Sequence, residues 1–258
     1  IAAQTAKQIV AQKIREAERE NIYEEYKDSE GQIVSGIVQR YEQHDVIVEL
    51  DKTEAILPKE EQIKNEDYRR GDRIRALIIE VQHESKDQQI VLSRTHPDLL
   101  RRLFEHEVPE IAEGLVEIKA IAREPGDRSK VAVLAKSNNL DAVGTCVGMR
   151  GSRIQMIVNE LGGERIGILE WSSNPSKLIS AALSPAKISS VIIDEESKSA
   201  KVIVPNDQLS LAIGRKGQNV RLAAKLTGWR IDIKSQSQAE AEAKEKIAKS
   251  IFKSPDEN

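Results

Sequence analysis

The chain has 258 residues, 39% hydrophobic and 31% charged, with a net charge of −3, which supplies apolar material for two or more globular domains. No run of about 18 apolar residues could span a bilayer, the opening IAAQTAKQIVAQKIREAERE lacks a signal-peptide pattern, and Cys146 stands alone, which excludes an internal disulfide. These features point to a cytoplasmic protein with no membrane association, and aromatics at 3% mean cores built from Ile, Val, Leu and Ala.

Residues 1–28 contain neither Gly nor Pro, and Ile1, Ile9, Ile14 and Ile22 trace a rough apolar stripe, so the pattern predicts one helix. It begins without an initiator Met or an N-cap, and residues 1–29 are therefore expected to be a linker helix from an upstream domain. From Gly31 the pattern changes to short β-branched runs: GQIVSGIVQRY, DVIVEL, AILP, RIRALIIEV and QQIVLSR. Five strands in some 65 residues predict a small barrel over residues 30–95.

After His96-Pro97 the sequence reads as a helix, two strands joined by the turn Pro125-Gly126-Asp127-Arg128, two helices around a glycine turn, and a strand RIGILEW. Residues 176–237 repeat that α-β-β-α-α-β order, and Gly148 and Gly151 map onto Gly214 and Gly217 at an offset of 66, with Val147 over Ile213 and Ile154 over Val220. The fold class is α+β and multidomain: a barrel, a unit over 96–175, a second over 176–237, and a polar tail over 238–258 that begins as a marginal helix.

Charge is distributed unevenly along these segments. Residues 1–95 carry −5, residues 96–175 carry −2 and residues 176–258 carry +4, with six basic residues against one acidic residue between 210 and 234. Any anion-binding surface is therefore local.

The motif that carries chemistry is Gly-x-x-Gly between two helices, as Gly148-Met149-Arg150-Gly151 and Gly214-Arg215-Lys216-Gly217. With 14 glycines in the chain, chance alone gives roughly 0.75 such pairs, so context must carry the argument. Glycine lets a sugar-phosphate backbone approach where a Cβ would block it, and the amides opening the next helix favour anions. Each loop thus reads as a phosphate clamp, with Val147 and Ile154, or Ile213 and Val220, flooring a groove for unstacked bases.

Arg215 and Lys216 in the second loop, with Gln218, Asn219, Arg221 and Lys225 on the helix after it, are the candidate nucleic-acid contacts there. Arg150, Arg153 and Ile154 play that part in the first copy, which leans less on charge. The plainer readings are a glycine-rich turn between helices and a solvated charged helix face. In the barrel, Tyr41 and His44 are candidate stacking residues and Arg69, Arg70 and Arg73 candidate cations, although Tyr41 equally suits rim packing.

Cys146 reads as a small buried apolar residue, and His44, His83, His96 and His106 show no metal-ligand spacing. No catalytic residue, cofactor or metal is expected.

The strings VGTCVGMRGSRIQMIVNELGGERIGILEW, ALSPAK and QLSLAIGRKGQNVRLAAKLTGWRIDIKS resemble the paired KH domains of the NusA family. Gly31, Gly36-Ile37-Val38, Ala55-Ile56-Leu57-Pro58, Gly71-Asp72-Arg73-Ile74 and Ile90-Val91-Leu92-Ser93-Arg94 resemble its S1 domain, an OB-fold variant. The resemblance covers residues 1 to about 237.

It implies type II KH folds packed closely together, binding of single-stranded RNA (nascent transcript, antitermination-site or leader RNA), and roles in pausing, termination and antitermination. RNA polymerase would be engaged mainly through an amino-terminal domain not contained here, with other antitermination factors as further partners. Two alternatives stand beside this reading: the RNA-capture region of an exoribonuclease, whose KH-then-S1 order differs from the order here, and a protein-binding scaffold.

Overall fold

The computed structural model describes residues 2–83 and 89–251. Helix α1 spans Ala2–Tyr26 and leads into five strands: β1 (Ile33–Glu42), β2 (Asp45–Glu49), β3 (Glu54–Leu57), β4 (Arg73–Val81) and β5 (Ile90–Ser93). Next come α2 (Pro97–Glu107), the short α3 (Pro109–Ala112), β6 (Val116–Glu124), β7 (Arg128–Ala135), α4 (Ala142–Val147), α5 (Ser152–Glu160) and β8 (Arg165–Glu170). The remainder is α6 (Pro175–Ala182), β9 (Ser190–Asp194), β10 (Ser199–Val204), α7 (Leu209–Ile213), α8 (Gln218–Thr227), β11 (Arg230–Ser235) and α9 (Gln236–Ile251).

The expected α+β class holds: a closed barrel is followed by two α-β-β-α-α-β units. The barrel runs β1-β2-β3-β5-β4, antiparallel except where β3 pairs β5 in parallel. Alternate residues of its strands, among them Val46, Val48, Leu57, Ile78 and Leu92, fill one core.

From α1, Ile22, Tyr23 and Tyr26 pack against that core. The apolar stripe foreseen on this helix is only partly used: Ile9 and Ile14 are exposed, and Ile1 lies outside the described residues. The last seven residues of the foreseen polar tail also lie outside them, and α9 carries the chain to Ile251.

The chain divides into two compact units whose boundary cuts across the first α-β-β-α-α-β repeat. One comprises the described residues up to Pro109 with Pro125–Asp127 and Ser152–Arg165; the other comprises Glu110–Glu124, Arg128–Gly151 and the described residues from Ile166 onward.

In the first unit, Pro97 opens α2 and the His96 ring nitrogen caps it by accepting from the Asp98 amide at 3.2 Å. Leu99, Leu100, Leu103 and Phe104 of α2 are fully buried, and the helix packs on α5. Each such side chain contributes on the order of 1.5–3 kcal/mol.

Arg94 follows β5 and is buried. Its guanidinium pairs with Glu66, donating from Nε at 2.6 Å, and also donates to the Glu160 carbonyl at 2.9 Å and to the Arg75 carbonyl. One side chain thereby ties β4, the β3–β4 connection and the end of α5 together.

In the second unit, the sheet β6-β7-β8 and the sheet β11-β10-β9 share a core. Ala122, Ala132 and Leu169 from the first sheet meet Leu178, Ile179, Leu183, Leu222 and Leu226 from α6, α8 and their flanks, with Val202 and Val204 of β10. The two repeats' sheet-bearing parts are therefore packed closely, as the resemblance implied. Asn174 caps α6 by accepting from the Lys177 amide at 3.2 Å, and Pro175 fits its first turn. Lys201 of β10 and Lys234 of β11 both grip Glu242 of α9, and these bonds hold the Glu242 carboxyl down at about 2.

Candidate nucleic-acid interface

Helix α7 stops at Gly214, whose φ of 79° and ψ of 167° lie in a region only glycine enters readily. Its amide closes the last turn by donating to the Ser210 carbonyl at 2.9 Å, and the Gly217 amide donates to the Gly214 carbonyl at 3.0 Å. A Cβ on Gly214 would stand 2.7 Å from the Asn219 amide nitrogen, so the close approach itself demands glycine. Lys216 adopts φ 51°, ψ 29°, and Gly217 φ 72°, ψ 16°. This left-handed pair reverses the chain into α8, leaves Arg215 and Lys216 exposed, and sets them beside the amides that open a ten-residue helix.

The first loop has the same backbone. Gly148 (φ 75°, ψ 171°) ends α4, Arg150 takes φ 52°, ψ 27°, and Gly151 has φ 79°. Its hydrogen bonds match as well: Gly148 to the Gly144 carbonyl at 2.9 Å and Gly151 to the Gly148 carbonyl at 3.0 Å. A non-glycine residue held left-handed at the same position of both loops costs roughly 1–2 kcal/mol each, and such strain concentrates at functional sites. The loops differ in what they present. Met149, 85% exposed, stands where the second loop has Arg215. Arg153 and Ile154 follow on α5, both half-buried.

The helix residues after the second loop divide by role. Lys225 is exposed one turn beyond Arg221, on the same face. Asn219 differs from its expected part as an RNA contact: it is buried, and its amide donates to the carbonyls of Leu183 at 2.9 Å, Ala212 at 3.1 Å and Leu211 at 3.4 Å. It braces the loop from behind, because α8 turns that position toward α6 and α7. Gln218 is likewise buried and donates to Glu124 at 2.9 Å. Arg221 is exposed, but its Nε donates to Glu124 at 2.6 Å.

That pairing raises the Arg221 pKa further and lowers that of Glu124, chiefly through the hydrogen bond between them. Sequence reasoning gave Glu124 no role, since 97 residues separate it from Arg221 and no local signal connects them. It also passed over Leu211, an apolar side chain 45% exposed on α7 before the loop.

On the barrel, Tyr41 is 52% exposed near the end of β1 and His44 is exposed in the β1–β2 turn, its carbonyl accepting from Gln62 at 2.9 Å. The neighbouring Arg40 is taken up by carboxylates, donating to Glu54 at 2.6 and 2.9 Å and to Glu42 at 2.9 Å. Arg69, Arg70 and Arg73 are exposed, with Arg69 3.6 Å from Asp67. Cys146 is fully buried in α4. Among the described residues no group of three or more His, Cys, Asp or Glu side chains could hold a metal ion, and no helix is long and apolar enough to cross a membrane.

Three family models match in tandem: the S1 RNA binding domain over residues 27–94, the NusA-like first KH domain over 94–171 and the NusA-like second KH domain over 175–241. A transcription termination/antitermination protein NusA from Thermus thermophilus is 47% identical over 265 residues, covering 98% of this chain and 68% of that protein. The chain belongs to the NusA family. Proteins of the same description from Halalkalibacterium halodurans and Bacillus subtilis are 58% and 57% identical, each over 93% of this chain. The chain spans 63% and 64% of their lengths. In NusA terms the barrel is the S1 domain, and the two glycine loops lie one in each KH domain.

Proposed function

We propose that this NusA-family chain is a non-catalytic, cytoplasmic RNA-binding region that holds single-stranded RNA in extended form. Its ligand is nascent transcript, antitermination-site or leader RNA, and by holding it the protein modulates RNA polymerase pausing, termination and antitermination. Polymerase itself is engaged mainly through a region outside this chain, with other antitermination factors as additional partners. The functional divisions are the linker helix over 1–29, S1 over 30–95, first KH over 96–175, second KH over 176–237 and a tail over 238–258.

The observation that carries this reading is the repeated loop: two Gly-x-x-Gly turns, 66 residues apart, with backbones alike to within a few degrees, each opening onto a helix. A plain turn between helices needs no such repetition, whereas two phosphate clamps do, since adjacent KH units each take about four nucleotides. Gly148, Arg150, Gly151, Gly214, Arg215, Lys216 and Gly217 act on phosphates, with Met149, Arg153, Ile154, Arg221 and Lys225 at the groove margins. Tyr41 and His44 offer stacking surfaces on S1.

Fluorescence anisotropy with labelled single-stranded RNA, matched DNA and duplex RNA across a salt series tests this. Selective binding to single-stranded RNA of about ten nucleotides with a moderate salt slope is expected. Equal affinity for all three ligands, or no binding at low salt, would overturn it.

A further inference from the structure

Glu124 is the last residue of β6, in the first KH domain, yet both carboxylate oxygens are spent on the second. Oε1 accepts from Arg221 Nε at 2.6 Å and Oε2 from Gln218 Nε2 at 2.9 Å, which grips the first turn of α8 at two points. The chain of bonds continues: Arg221 Nη1 donates to the Lys216 carbonyl at 3.2 Å. Lys216 is the left-handed non-glycine residue of the second loop. A carboxylate on one KH sheet is thereby linked through one guanidinium to the backbone of the other KH domain's glycine loop.

We propose that Glu124 is a positioning residue for RNA binding by the second KH domain, orienting Arg221 toward phosphate and fixing the Gly214–Gly217 loop. This rests on the RNA-binding reading above and adds to it how the first KH domain presents the second one's clamp.

Two features favour positioning over masking. Arg221 carries five N–H donors, and among the described residues only Nε and one Nη1 hydrogen are committed, so the remaining donors can meet an anion while the side chain stays fixed. The Arg221 side chain is 48% exposed whereas that of Glu124 is 22% exposed, so the acid lies beneath the base and not in front of it. A pre-oriented side chain loses less freedom when it binds, and its release costs affinity.

The sign of the effect is therefore opposite to simple charge counting. Removing an acid beside a phosphate site should strengthen RNA binding if charge alone matters. Positioning predicts that Glu124→Ala weakens it, by roughly three- to tenfold. Glu124→Gln, whose amide oxygen still accepts from Arg221 while its NH2 replaces the acceptor facing Gln218, keeps the bond that orients Arg221 without the charge and restores affinity to near that of the parent.

The experiment combines anisotropy with a ten-nucleotide single-stranded RNA for parent, Glu124→Ala and Glu124→Gln with hydrogen exchange of the 214–217 amides without RNA. Expected are weaker binding and faster loop exchange in the Ala variant alone, with exchange across 222–226 unchanged. Ala binding as well as or better than the parent, or Ala and Gln behaving alike, overturns the proposal. If the parent binds no RNA, the functional reading fails separately, and unchanged loop exchange in Glu124→Ala then overturns the positioning role itself.

Discussion

Gly217 offers the sharpest single perturbation of the second clamp. Its φ of 72° and ψ of 16° are left-handed, a conformation that Asp and Asn tolerate better than other side chains, at about 1 kcal/mol. A Cβ there meets nothing nearer than the Val220 methyl at 4.0 Å, so the first side-chain atom of Gly217→Asp fits without a clash. If RNA phosphate approaches the loop, the new charge stands about 4 Å from it, and the repulsion is about 1 kcal/mol in water-like surroundings and about 4 kcal/mol at a protein surface. Gly217→Asn adds the same volume and strain without charge. Titration of both with single-stranded RNA should show the Asp variant weaker than the Asn variant by roughly fivefold to several hundredfold, with the gap narrowing as salt rises. Equal affinities would refute the claim that phosphate sits at this loop.

Other outcomes follow from the same geometry. Gly214→Ala should lower the melting temperature more than Gly217→Ala, at a cost of about 2 kcal/mol or more against about 1, because only Gly214 combines a glycine-restricted backbone with a neighbour at 2.7 Å; equal shifts would contradict this. Arg94→Ala should cost about 3–5 kcal/mol in urea denaturation followed by far-UV circular dichroism, since it strands Glu66 and the Glu160 carbonyl, and a loss under about 1 kcal/mol would refute it. Lys130 is buried with its ammonium donating to the Ser184 carbonyl at 2.9 Å, and burial, followed by Arg128, pushes its pKa down to about 8. The unfolded chain holds that proton up to about 10.5, so the penalty is complete below pH 8 and is relieved as pH rises from 8 to 10.5. The stability of the parent relative to Lys130→Met should therefore rise by about 2 kcal/mol between pH 7.5 and 10, and a pH-independent difference would count against it.

The elements were legible where periodicity and turn chemistry act locally. Five β-branched runs gave five barrel strands, and the offset of 66 between glycine pairs gave two loops whose backbones agree. What stayed hidden depends on partners distant in the chain. Asn219 reads as a polar residue after a binding loop, yet three main-chain carbonyls claim it. Arg221 reads as an exposed cation, yet Glu124, 97 residues earlier, holds it. Arg94 reads as the end of a strand, but bonds 28 and 66 residues away make it a buried tie. The stripe on α1 misled in the other direction: periodicity marks an apolar face without saying what covers it, and Ile22 packs where Ile9 and Ile14 do not. The first KH repeat shows the same limit, since its order was readable but the grouping of its helices α2 and α5 with the barrel was not.

If both glycine loops clamp RNA, the double variant Gly151→Asp with Gly217→Asp removes both clamps at once. Binding of a ten-nucleotide single-stranded RNA should be abolished while the far-UV circular dichroism spectrum stays that of the parent. A double variant that keeps its fold and binds as tightly as the parent would show that neither loop clamps RNA.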